Sequence, residues 1–179
     1  MTQLPIQKPN RNGLVLALDL GTQLGFALGG VTVGGLESII RSGRVSFPDR
    51  DPHPGRRWLR LWTHLDALYD EGPPVLVVLE DFVGGLRTGP TGKAFTTRAP
   101  IVYGGFRAIV EAWSCNRGIP VRVVNPTQLK KAATGYGRAN KDQMSEAAAR
   151  RWRVPLATVG DDNAADAMCL LGAWLDGIV

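Results

Sequence analysis

The chain has 179 residues, 44% of them hydrophobic and 21% charged, which suits one globular domain with a sizeable core. Its formal net charge of +5 leans towards an acidic partner, and nucleic acid is the commonest of these. No run reaches the roughly 18 apolar residues that span a bilayer. The only two histidines, His53 and His64, stand in no zinc-like or triad-like spacing, which argues against a zinc centre or a Ser-His-Asp hydrolase.

Residues 1–12 (MTQLPIQKPNRN) have no apolar core and read as a disordered polar tail, leaving 13–179 as a single domain. Leu14–Leu18, Leu24–Leu28 and Arg41–Phe47 are predicted strands, with links short enough for antiparallel pairing. After the turn-rich DRDPHPG, the segment RRWLRLWTHLDALYDEG sets Leu61, Leu65, Leu68 and Tyr69 at helical spacing, and Gly72 stops it. VLVVLE (75–80) is a continuous apolar run, as expected of a strand covered on both faces. The glycine-containing DFVGGLRTGPTGKAFTTRAP reads as a loop. It is followed by a helix from about Ile101 to Arg117 and a strand from Val121 to Asn125.

Two further helix starts are explicit. Asn125 can cap, with Pro126 at the first helical position and Gln128 completing a capping box; Asn140 and Gln143 repeat the arrangement. A last helix runs from about Asp162 to Asp176. Cys115 and Cys169 lie in apolar, helix-like surroundings and read as buried thiols in a reducing compartment. Three strands, then alternating helix and strand, then terminal helices predict an α/β fold: a mixed five-stranded sheet flanked by α-helices.

Acids appear where these patterns do not call for them. Asp19 ends one apolar strand and Glu80 ends another. Asp162 lies four residues before Asp166, so both project from one face of the last helix, while Asp161 suits the helix start. Singly, each has a plain reading: an Asx-turn for Asp19, a solvated strand end for Glu80, a helix cap for Asp162. Asp166 is harder to explain, because alanines and Met168 surround it on a face that should pack. Bare carboxylates ~5 Å apart at an effective dielectric of ~20 repel by about 3 kcal/mol per pair. Divalent cations with hard oxygen preferences, Mg²⁺ or Mn²⁺, relieve this, and two such ions would suit phosphodiester hydrolysis.

Basic residues surround the acids. No acid occurs between Phe82 and Val110, while Arg87, Lys93, Arg98 and Arg107 supply cations, as a loop that orders on a phosphate backbone would. GPTGKAF in that loop is not a P-loop: alanine follows the lysine and the first glycine is misplaced. Lys130, Lys131 and Arg138 continue the basic character. Lys130 and Lys131 are expected in the last turn of their helix, where cations suit the dipole. Lys141 falls in a first turn, where positive charge is disfavoured and a bound phosphate would resolve the conflict.

The segment QLKKAATGYGRANKDQM resembles the Q-(V/L)-K-x-x-x-x-G-x-G-x-A-x-K-x-Q-(V/M) stretch of the RuvC Holliday junction resolvases, members of the RNase H-like superfamily. NAADAM is similar to that family's D-A-A-D-A-(L/M), and GGFRAIVEAW to the helix after its mobile loop. The likeness runs in order from about Leu14 to Trp174. It implies an RNase H-like fold, a homodimer, and paired symmetric nicks that resolve four-way DNA junctions in the cytoplasm of a bacterial or phage-infected cell. It implies Asp19, Glu80 and Asp166 as ligands of two Mg²⁺ or Mn²⁺ ions, with Lys130 and Lys141 near the scissile phosphate. Asn163 stands where the family usually has its fourth acid, so Asp162, one residue earlier, is the expected fourth ligand. An aromatic that wedges the junction is expected at Phe82 or Phe95, with Arg87, Lys93, Arg98, Arg107, Lys131 and Arg138 on DNA. No membrane and no nucleotide cofactor are expected.

Two other readings stay open. The D-x-G-T turn at Asp19 is also similar to the phosphate-binding turn of actin-like ATPases, although these need two copies of the core domain. Asn163 is compatible with a non-catalytic or weakly active binder of branched DNA.

Overall fold

The two apolar runs that end in acids lie side by side. In the computed structural model, β1 (Gly13–Asp19) and β4 (Pro74–Glu80) pair in parallel, with Leu18 against Leu79. The structure describes residues 13–31, 35–48, 52–53, 55–82, 87–88, 94–95 and 98–178, with backbone alone for 87–88, 94–95 and 98–99; the expected tail at 1–12 lies outside them. β2 (Gln23–Val31) runs antiparallel to β1, β3 (Glu37–Ser46) antiparallel to β2, and β7 (Val121–Val124) parallel to β4. The resulting order, β3-β2-β1-β4-β7, is the mixed five-stranded sheet expected.

Strand alternation divides the core in two. Leu16, Leu18, Phe26, Leu28, Val77 and Leu79 face α1 (Arg56–Glu71) and α2 (Arg98–Asn116), where Trp113 and Phe106 are fully buried. Val15, Ala17, Ala27, Leu76 and Val78 face α6 (Asp162–Leu175), which is backed by α3 (Pro126–Thr134), α4 (Lys141–Trp152) and the short α5 (Leu156–Val159). Small residues on this second face bring α6 close to β2, and from Ala167 to Ala173 every α6 residue is buried. No helix among the described residues is long and apolar enough to cross a membrane.

Several expectations need correction. β2 and β3 are longer than their apolar cores: Gly29 and Gly30 lie within the far end of β2, paired to both neighbours, and a side chain on either would strike the backbone of a flanking strand. Two short strands, β5 (Arg87–Thr88) and β6 (Ala94–Phe95), pair within the expected loop. Asn125 accepts a hydrogen bond from the Thr127 backbone N–H at 2.8 Å, so the cap is a simple one and not a box with Gln128. Asn140 and Gln143 do form the reciprocal box. Lys131 is in the last turn of α3, whereas Lys130 stands a residue too early to share it. Cys169 is buried but Cys115 is exposed, since Trp113 and Ser114 take the inward positions at that end of α2.

Candidate active site

Parallel pairing explains why two acids far apart in sequence are neighbours. With Leu18 opposite Leu79, the next residue of each strand, Asp19 and Glu80, emerges at the same edge of the sheet. Asp166, in the second turn of α6, completes the group: one carboxylate oxygen from each of the three lies within 4.8 Å of the others. They line an open cleft of about 300 Å³ together with Leu20, Asp81, Phe82, Tyr103, Pro126 and Lys130.

Three contacts hold this geometry. Opposite Asp19 in the β1–β2 ladder is Gly25, and a Cβ there would stand 1.9 Å from the backbone carbonyl oxygen of Asn163. The first turn of α6 therefore rests directly on bare strand. The Tyr103 hydroxyl donates to the Glu80 carbonyl oxygen at 2.9 Å, and the Asp81 N–H donates to the Val124 carbonyl at 2.8 Å, so the end of β4 is tied to α2 and β7. Asp161 caps α6, accepting from Ala164 N–H at 3.1 Å, while Arg44 on β3 reaches its other oxygen at 2.9 Å. Nothing in the sequence marks Tyr103 or Arg44; Arg44 is found only through register, as the β3 residue opposite Gly25.

The three carboxyls resist ionisation. Burial pushes Asp19 up to about 7, helped by the charges of Asp166 and Asp161 and opposed by Lys141. Burial raises Glu80 to about 8, with Asp19 and Asp166 adding to it and Lys130 opposing. Asp166 is raised to about 6, again by burial first, with Lys130 pulling it back. Crowded hard oxygens short of counter-charge fit a divalent cation of the Mg²⁺ type, so the donor set suits the implied metal.

That electrostatic strain has a testable sign. The unfolded carboxyls titrate near 3.8 and 4.5 but the folded ones near 6 to 8, so between those values the folded protein holds more protons. Its stability must then fall as pH rises through that window. We expect the melting temperature of metal-free protein to carry a decline from about pH 5 to about pH 8, and Mg²⁺ or Mn²⁺ to raise it more at the higher pH. Calorimetry with and without cation at both values checks this; an equal cation effect at both would refute it.

The other expected residues are more dispersed. Asp162 is not part of the three-carboxylate group: its Oδ2 takes the Lys141 ammonium at 2.5 Å. Lys141 is the first residue of α4, so its misplaced charge finds an acid here. Lys131 and Arg138 are exposed, on α3 and in the link to α4. Arg107 donates to Glu111 at 2.8 Å and lies 3.7 Å from Asp81. Phe82 packs against Tyr103 with ring centroids 5.4 Å apart. Lys93 and the side chains of Arg87, Phe95 and Arg98 lie outside the described residues.

No family model matches the chain. Its overall architecture is an RNase H-like fold: it aligns with the structure of Thermus thermophilus RuvC in complex with Holliday junction substrate at a TM-score of 0.71 and 18% identity, covering 93% of this chain and 95% of that one. In sequence it is 34% identical to the crossover junction endodeoxyribonuclease RuvC of Thermomicrobium roseum, over 87% of this chain and 88% of that protein. The counterpart from Chloroflexus aurantiacus is 31% identical over the same shares, 87% and 88%. With such relatives, the chain belongs to the RuvC family of crossover junction endodeoxyribonucleases.

Proposed function

We propose that this protein is a structure-selective, metal-dependent endonuclease that resolves four-way DNA junctions by paired symmetric nicks. The observation that carries the reading is the convergence of Asp19, Glu80 and Asp166 in one open cleft, in a chain of the RuvC family. The substrate follows from the relatives' name and from the junction in the T. thermophilus complex. With the family membership, the D-x-G-T turn needs no nucleotide: here its aspartate is one of three cleft acids.

Asp19, Glu80 and Asp166 would hold Mg²⁺ or Mn²⁺, two ions in the full proposal. A cation held there supplies positive charge to the phosphodiester and lowers the pKa of the attacking water. Lys130, which lines the same cleft, offsets the acids and would meet the phosphate that enters. Lys141 offers an exposed ammonium at the rim. Exposed Lys131 and Arg138, with Arg87, Lys93, Arg98 and Arg107, would follow backbone phosphates. Phe82 or Phe95 would stack on an opened base pair. A homodimer would set two clefts on the two strands to be cut. The setting would be the cytoplasm of a bacterial or phage-infected cell.

The test is a synthetic immobile junction incubated with Mg²⁺ and no ATP. We expect symmetric nicks from the wild type, and Lys141→Ala to cut ~10²-fold more slowly, the usual cost of losing one charge-stabilising group. Junction binding without cation-dependent product would instead support the non-catalytic binder that Asn163 leaves open.

A further inference from the structure

We infer that Asp162 is a positioning residue that holds Lys141 for an incoming phosphate, and that it is not a ligand of the cation. The inference rests on the reading of the cleft as a phosphodiester-cutting site. α4 and α6 pack against each other in one core cluster, and their first residues meet beside the cleft, with Lys141 within electrostatic reach of Asp19 and Asp166. Each begins with a charge at its first helical position, Lys141 in α4 and Asp162 in α6. The acid suits its helix dipole and the lysine opposes its own. Their 2.5 Å contact lets α6 supply the counter-charge that α4 lacks.

Position separates Asp162 from the metal-type carboxylates. It lies one helical turn before Asp166, yet the group whose oxygens fall within 4.8 Å contains Asp19, Glu80 and Asp166 without it. Its neighbour Asp161 is already committed to the Ala164 N–H and to Arg44. The Lys141 side chain is 77% exposed and that of Asp162 42%, so the pair is solvated and weak, open to exchange. A phosphate at the rim takes the ammonium from Asp162. Until then the acid keeps Lys141 aimed along the rim and competes with stray anions.

Asp162→Asn, Asp162→Glu and Asp162→Asn combined with Lys141→Ala test this with two probes: Mn²⁺ alone, counted by its free electron-paramagnetic signal, and an immobile junction bound in cation-free buffer over a range of salt. We expect Asp162→Asn to leave Mn²⁺ affinity within about threefold of wild type while tightening junction binding ~3- to 10-fold. The slope of log affinity against log salt should stay near the wild-type value, because the same Lys141 contact to phosphate forms in both proteins and only its competitor is gone. Asp162→Glu should keep the wild-type affinity, and the tightening should vanish when Lys141 is alanine. A larger fall in Mn²⁺ affinity would make Asp162 a ligand and overturn the inference. Unchanged junction binding, or equal tightening without Lys141, would overturn it too. Wild-type protein that binds no junction would bring down the proposed function itself, whereas failure of the Asp162 variants alone leaves it standing.

Discussion

A protein carrying Asp19→Asn is expected to bind a four-way junction as the wild type does and to cut it on the order of 10³-fold more slowly. The amide keeps the shape of the strand end but offers one neutral oxygen, so the cation loses its charge partner while the basic rim is untouched. The same change has a stability signature. In the wild type the Asp19 carboxyl, pushed up to about 7 by burial, must ionise in place as the pH passes that value. Asparagine never does. Metal-free Asp19→Asn should therefore be more stable than wild type at about pH 8, by up to a few kcal/mol, with the difference shrinking towards about pH 5. Normal cutting would remove Asp19 from the site. Loss of junction binding along with cutting would place the defect in the fold or the interface.

Gly25→Ala should damage the protein from a position that touches neither cation nor DNA. The added methyl would meet the Asn163 carbonyl oxygen at 1.9 Å and its carbon at 2.3 Å, and both are helix backbone that cannot turn aside. α6 must lift from β2 by an ångström or more, carrying Asp166 away from Asp19. Overpacking of this kind costs about 3 kcal/mol, which lowers the melting temperature by roughly 10 °C in a chain of this size. Displacing Asp166 by that much should slow cutting at least ~10²-fold. Gly43→Ala is the control, since its methyl meets only the edge of the Phe26 ring at 3.4 Å. It should melt within a few degrees of wild type and keep its activity; equal damage in both variants would refute the argument from α6.

Much of the site could be read from single residues that contradict their local pattern. Asp19 and Glu80 end strands whose other residues are buried, and Asp166 interrupts a helix that is apolar almost all round. Lys141 opposes its helix dipole. Such misfits are visible in a linear chain because propensity and burial act over a few residues. Their remedies are not. The acid beside Lys141 lies 21 positions away in another helix, where no local pattern pairs the two.

The types of the main strands and long helices, the five strands of the main sheet, the caps at Asn140 and Asp161, and the three clustered acids were determined by the sequence alone. Each depends on short-range periodicity or on one group's cost of burial. Tertiary structure decided the meeting of Asp19 with Glu80, the need for Gly25 opposite Asp19, the roles of Tyr103 and Arg44, and the pairing of Asp162 with Lys141. These depend on strand register and on how closely one helix can lie on a sheet. Both are set by packing between segments far apart in the chain, where no local pattern reaches.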